Sequence, residues 1–237
     1  MKIIADLHTH TIVSQHAFST VDEIISAAKE RGFLAVAITD HGPKSSDGAK
    51  PMHFGSMHNI PEYVNGIRVL RGVEANIIDY DGNIDLRKNT LECLDFVIAS
   101  YHEDCITPSN IESHTNGYAG LMKNSYIDCL GHVGNPKFEF DMEKIVKLCK
   151  EYNKLIEINS ASFKVRKGSD KNCREVALLC KKYNLNIVVT SDSHSKYNVG
   201  NHEAALNMLE AINFPEDLVL NSDFDRLMNY LSNRNRN

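Results

Sequence analysis

Residues 1–16 read Met-Lys-Ile-Ile-Ala-Asp-Leu-His-Thr-His-Thr-Ile-Val-Ser-Gln-His. Ile3, Ile4 and Leu7 have the spacing and apolarity of a short buried strand. His8 and His10 stand two apart at its C-terminal end. A period of two puts both imidazoles on one side of an extended chain. Two imidazoles on one side are half of a metal site, since imidazole suits zinc, iron and nickel better than magnesium or calcium. His-x-His alone is also compatible with ordinary polar strand-end residues, so the remaining chain has to decide.

Six further segments end the same way. Leu34–Thr39 is a nearly continuous apolar run followed by Asp40 and His41. Ile67–Ala75 carries Glu74 near its end, and Phe96–Ser100 precedes His102. Ile127–Leu130 precedes His132, Leu155–Ile158 precedes Asn159, and Ile187–Thr190 precedes Asp192 and His194. Continuous apolar runs are expected of parallel strands covered on both faces. Helical periodicity lies between them: Val21–Arg31 behind a Ser19 or Thr20 cap, a stretch from Pro108 to Lys123, Met142–Tyr152, Cys173–Tyr183, His202–Ala211 and Asp223–Leu231. Gly42–Ile60 reads as a long irregular loop over the site, Asn76–Leu86 as a hairpin excursion, and Asn233–Asn237 as a frayed tail.

Seven strands alternating with helices or loops predict an α/β fold, a single-domain barrel over residues 1–237 with its active site at the C-terminal ends of the strands. A length of 237 residues suits that fold. The net charge of −5 gives no basic footprint for long nucleic acid or an anionic membrane. Six cysteines without a Cys-x-x-Cys pair read as reduced core thiols. The absence of a signal segment or long apolar run predicts a soluble, cytoplasmic chain.

A lone His after a strand is usually an ordinary polar residue. Repetition at equivalent positions gives nine candidates for metal ligation: His8, His10, His16, His41, Glu74, His102, His132, Asp192 and His194. One tetrahedral zinc takes three or four protein ligands. Nine candidates, with Glu74 able to bridge through two oxygens, suit three metals with open positions. The remaining histidines, His53 and His58 in the loop and His114 and His202 elsewhere, read as exposed.

The successive motifs Asp6-Leu7-His8-Thr9-His10-Thr11, Thr39-Asp40-His41, Gly72-Val73-Glu74, Ser100-Tyr101-His102, Gly131-His132 and Ser191-Asp192-Ser193-His194 resemble those of the PHP (polymerase and histidinol phosphatase) family. The stretch from Asn159-Ser160 through Arg166-Lys167-Gly168 to Glu175 is similar to its stand-alone YcdX-like phosphatase branch. The resemblance implies a distorted barrel of seven β/α units with a trinuclear centre, usually Zn2+, with Mn2+ or Fe2+ also accepted. It implies one metal on His8, His10, Glu74 and Asp192, a second on Glu74, His102 and His132, and a third on His16, His41 and His194. Asp6 and Asp40 are then assigned to orienting ligand imidazoles. Arg166 and Lys167 are candidates for gripping a phosphate, although a solvated basic turn reads the same way.

The expected activity is hydrolysis of a small phosphate monoester, with metal-activated hydroxide attacking phosphorus and no covalent intermediate. Rival readings are a phosphodiesterase or nuclease, a histidinol-phosphatase-type activity, an amidohydrolase with a bridging Lys in place of Glu74, and a metal-dependent binding module without turnover.

Overall fold

The computed structural model describes residues 1–234 and 236; Asn235 and Asn237 of the expected frayed tail lie outside the described residues. In chain order the elements are β1 (Ala5–Asp6), α1 (Val21–Glu30), β2 (Ala35–Ile38), α2 (Pro51–Gly55), β3 (Tyr63–Val64), β4 (Ile67–Asn76) and α3 (Lys88–Leu91). Then come β5 (Phe96–Ser100), α4 (Ile111–Leu121), β6 (Cys129–Leu130), α5 (Met142–Glu151), β7 (Leu155–Asn159), α6 (Ser162–Val165), α7 (Ser169–Tyr183), β8 (Ile187–Thr190), α8 (Glu203–Ala211) and α9 (Phe224–Ser232). All strands but β3 pair in parallel, in the order β1-β2-β4-β5-β6-β7-β8. The α/β barrel architecture expected from the apolar runs is therefore present. Strands β2, β5, β7 and β8 are buried along their whole length, which is why they read as continuous apolar runs rather than alternating ones.

Alternate strand residues supply two cores. Ala5, Leu7, Ala35, Ala37, Leu70 and Ile98 form the inward cluster, joined by Leu220 and Leu227 near the C-terminus. Val36, Ile38, Val73 and Val97 face the surrounding helices. The helix α1 begins where its cap chemistry dictates: Thr20 and Glu23 exchange side-chain-to-backbone hydrogen bonds in a capping box.

Strands β1 and β8 do not share a regular ladder, and two devices close the gap. Thr9 and Ser193 form an isolated parallel bridge at the C-terminal rim. Further down, the buried Asn221 side chain donates to Ala5 O (2.8 Å) and Val189 O (2.7 Å) and accepts from Val189 N (3.0 Å). An amide side chain thus stands in for missing strand backbone where the barrel is irregular, between β1 and β8.

Several expectations need correction. The segment 42–60 is not wholly irregular. Pro51, pre-set for the first helical position, opens α2, and a 3-10 turn at Met57–Asn59 follows, with Phe54 and Met57 buried beneath. The strand β3, antiparallel to β4, was too short to read. The helix after Pro108 starts later, behind the Asn110 cap, and α7 starts earlier, at Ser169. Arg234 and Arg236 are not frayed. Their guanidinium groups lie 2.9 and 2.6 Å from the buried Asp128 carboxylate. Among the described residues the six thiols are free, but Cys93 is exposed and Cys105 only half-buried, so four rather than six lie in the core.

Candidate metal centre

The parallel strands bring their C-terminal ends to one rim, and all nine candidate ligands meet there. Glu74, near the end of β4, is the hub and is almost fully buried. Its Oε2 lies 3.3 Å from His8 Nε2, 3.6 Å from His10 Nε2 and 2.8 Å from His41 Nδ1. Its Oε1 lies 3.3 Å from His102 Nε2 and 2.9 Å from His132 Nε2. Asp192 Oδ1 completes the first side, 3.6 Å from His8 Nε2 and 3.3 Å from His10 Nε2. Outside this group, the His194 ring stands 4.3 Å from those of both His10 and His16, and 5.7 Å from that of His41.

Ligand atoms within 4.8 Å of one another define overlapping clusters: His8, His10 and Glu74; His41, Glu74 and His102; His10, His41 and His194; His16, His41 and Asp47. His41 thus reaches Glu74 as well as the outer group, and Asp47 joins it, which the motifs did not indicate.

The residues fit a set of metal ions. His8 Nε2, His10 Nε2, His41 Nδ1, Glu74 Oε1 and His194 Nε2 are buried and make no properly aligned hydrogen bond among the described residues. A buried polar atom left in that condition costs about 1–3 kcal/mol. Cations among these five atoms would compensate all of them at once. Burial, together with the neighbouring His41, brings the His10 pKa down to about 3. Burial and the Arg166 charge bring His132 down to about 4. Both imidazoles are therefore neutral, the form that ligates. Burial opposes ionisation of Glu74 and Asp192, but the surrounding imidazoles, His8 foremost, hold both carboxyls well below their ordinary values. His8 goes the other way. Burial would lower its pKa, but Glu157, Glu74 and Asp192 raise it well above the ordinary value.

The supporting groups differ from those expected. Asp6 reaches no ligand imidazole. It accepts from Ser191 N (3.1 Å), Ser191 Oγ and Gly200 N (2.8 Å), which fixes the chain just before Asp192. Asp40 acts at one remove. It accepts from Ser14 Oγ at 2.8 Å, and that hydroxyl lies 3.5 Å from His10 Nδ1. Two supporting side chains contact the buried and half-buried candidate imidazoles directly: Glu157, with Oε1 2.6 Å from His8 Nδ1, and Asn76, with Oδ1 2.6 Å from His102 Nδ1. Glu157 also accepts from His132 N and from Thr190 Oγ1. Sequence reasoning passed over both. The signal for Glu157 was a lone carboxylate inside the apolar run Leu155–Ile158. Two of the candidate ligands adopt left-handed backbone, Asp192 with φ of 52° and His132 with φ of 26°.

A cavity of about 1260 Å³ opens over the cluster. Arg166 lines it, donating to Ser162 Oγ at 2.9 Å with its Nη1 3.5 Å from Asp192 Oδ2. Lys167 is exposed and absent from the lining, where Lys164 stands instead. Of the four histidines read as exposed, only His58 is. His53 Nε2 lies 3.5 Å from Asp40, His202 is buried beside Asp6, and His114 is buried with its Nε2 accepting from Ser109 N.

A family model described as "PHP domain" matches residues 6–166. A protein of Acetivibrio thermocellus named "Probable phosphatase" is 45% identical over 234 residues, covering 99% of this chain and 97% of its own length. A Clostridium botulinum "Probable phosphatase" is 43% identical over 236 residues, covering 100% and 97%. Among solved structures, the histidinol phosphate phosphatase of Lactococcus lactis, complexed with zinc, L-histidinol and phosphate, superposes with a TM-score of 0.64. It has 15% identity and covers 89% of this chain and 94% of its own. An archaeal ribonuclease P chain matches with a TM-score of 0.60 at 13% identity, covering 96% and 90%. At those identities the structural likenesses establish the barrel alone. The family match and the curated relatives carry further: this chain belongs to the PHP domain family.

Proposed function

We propose that this protein is a metal-dependent phosphatase acting on small phosphate monoesters, with three ions, zinc by preference, on His8, His10, His16, His41, Glu74, His102, His132, Asp192 and His194. The observation that carries the proposal is Glu74. Its two oxygens face different imidazole groups, His8, His10 and His41 on one side and His102 and His132 on the other. The names of the curated relatives support the activity. The functional unit extends past the matched residue 166, because β8 delivers Asp192 and His194.

Bound metal ions supply Lewis acidity to the phosphate oxygens and a water of lowered pKa. The chain's residues do the rest. Arg166 offers a planar fork to a phosphate entering the cavity, at the edge of the ligand cluster. The rim carries Asp47, Asp104 and Glu203 beside Lys164 and Arg166, so it offers no basic stripe for a long polyanionic nucleic acid, and a small substrate suits it better. Among the described residues no helix is long and apolar enough to cross a membrane. We place the activity in the cytoplasm on the composition.

Phosphate release from a panel of phosphorylated metabolites tests this, with metal-replete wild type beside His194→Ala. Release that the variant lacks is the expected result. Equal release from both, or none from wild type with metals bound, overturns it.

A further inference from the structure

His16 is the outermost candidate ligand. Its side chain is 57% exposed, whereas those of His8 and His10 are 0% exposed. An exposed imidazole on a loop loses rotamer freedom when it ligates, so something has to hold it in advance. Asp47 holds it twice. Its Oδ2 accepts from His16 Nδ1, and its backbone O accepts from Gln15 N at 3.3 Å.

Asp47 is itself fixed. Ser45 Oγ lies 2.7 Å from Asp47 Oδ1 and 2.9 Å from Asp104 Oδ2, sharing its single proton between them. Asp104 Oδ2 also accepts from Ser46 N at 2.8 Å and Ser46 Oγ at 3.1 Å. The chain of contacts crosses three rim loops, those after β1, β2 and β5. It ends two residues past His102.

We propose that Asp47, clasped by Ser45, Ser46 and Asp104, is a positioning residue that builds the outer metal position of His16, His41 and His194. This rests on the metal centre proposed above. With Nδ1–H held by Asp47, the His16 tautomer is set and Nε2 is left free to ligate. Both Asp47 oxygens already face donors, which assigns Asp47 to orientation rather than ligation.

The test uses full-length wild type, D47A, D47N and D104A, each metal-replete. Elemental analysis reads metal per chain, a chromogenic chelator reads the release of the most labile ion, and far-UV circular dichroism checks the fold. Wild type holds three ions. D47A loses the outer ion, with affinity there reduced roughly 10–100-fold. D47N keeps an acceptor for Nδ1–H and keeps three ions. D104A also keeps three but releases one faster than wild type.

D47A with three ions and wild-type release overturns the proposal, as does D104A releasing at the wild-type rate. D47N emptying as fully as D47A overturns it too, by making the carboxylate a direct ligand. A wild type without a third ion instead removes the reading on which the clasp rests.

Discussion

His8 turns its Nδ1 to Glu157, whose Oε1 lies 2.6 Å away, so that Nε2 faces Glu74 and Asp192. A carboxylate behind a ligating imidazole fixes the ring and raises its basicity. Glu157→Gln keeps the shape and removes the charge. Metal affinity at the His8 position is expected to fall roughly 10–100-fold, with circular dichroism unchanged. Chelator competition measures it, and wild-type affinity in the variant would count against this role.

Arg166 and Lys167 are neighbours in sequence but not in setting. Arg166 lines the cavity beside Asp192, and Lys167 is exposed. A charge-assisted hydrogen bond to an ester phosphate contributes about 1.5–3 kcal/mol, so Arg166→Ala should lower kcat/KM roughly ten- to hundredfold. Lys167→Ala should leave it near wild type. Steady-state phosphate release compares the two, and equal effects would contradict the assignment.

Asn221 satisfies three buried backbone groups between β1 and β8. Asn221→Ala strands them, at an expected cost of about 3 kcal/mol. In a chain of this size that lowers Tm by roughly 5–10 °C, which a thermal melt reads. A change under a degree would mean that the seam is held elsewhere.

Asp95 meets Arg71 in a two-point fork of 2.7 and 3.0 Å. Burial would raise the Asp95 pKa, but the Arg71 hydrogen bonds and charge lower it. A depressed folded pKa contributes stability that is fully present above the unfolded value of about 3.9 and is lost as pH falls through the folded value. Denaturant midpoints of Asp95→Asn should therefore fall less steeply between about pH 5 and 2 than those of wild type. Parallel slopes would show that the pair does not contribute.

The barrel was legible because parallel strands buried on both faces leave continuous apolar runs, as at Phe96–Ser100 and Ile187–Thr190, where strand and run coincide. The candidate ligands could be picked out because strand ends converge, which brings all nine to one rim. What the sequence hid depends on contacts between distant segments. Glu157 lies 149 residues from His8, and although its place inside an apolar run marks it as unusual, nothing local names its partner. His202 and His114 stand among polar and helical residues that read as exposed, and only tertiary packing buries them. The tail has a frayed composition, yet Arg234 and Arg236 are held by Asp128, more than a hundred residues earlier.

The left-handed backbone of Asp192 and His132 bears on how inactive variants should be chosen. An L-residue with a Cβ is strained there, and Asn or Gly tolerates the conformation better than Ala. Alanine at either position therefore changes two things at once, the donor atom and the ease of the local turn. For trapping a bound substrate, Asp192→Asn is the cleaner choice: it keeps the turn and one side-chain oxygen while removing the charge, so a loss of turnover reports on the carboxylate itself.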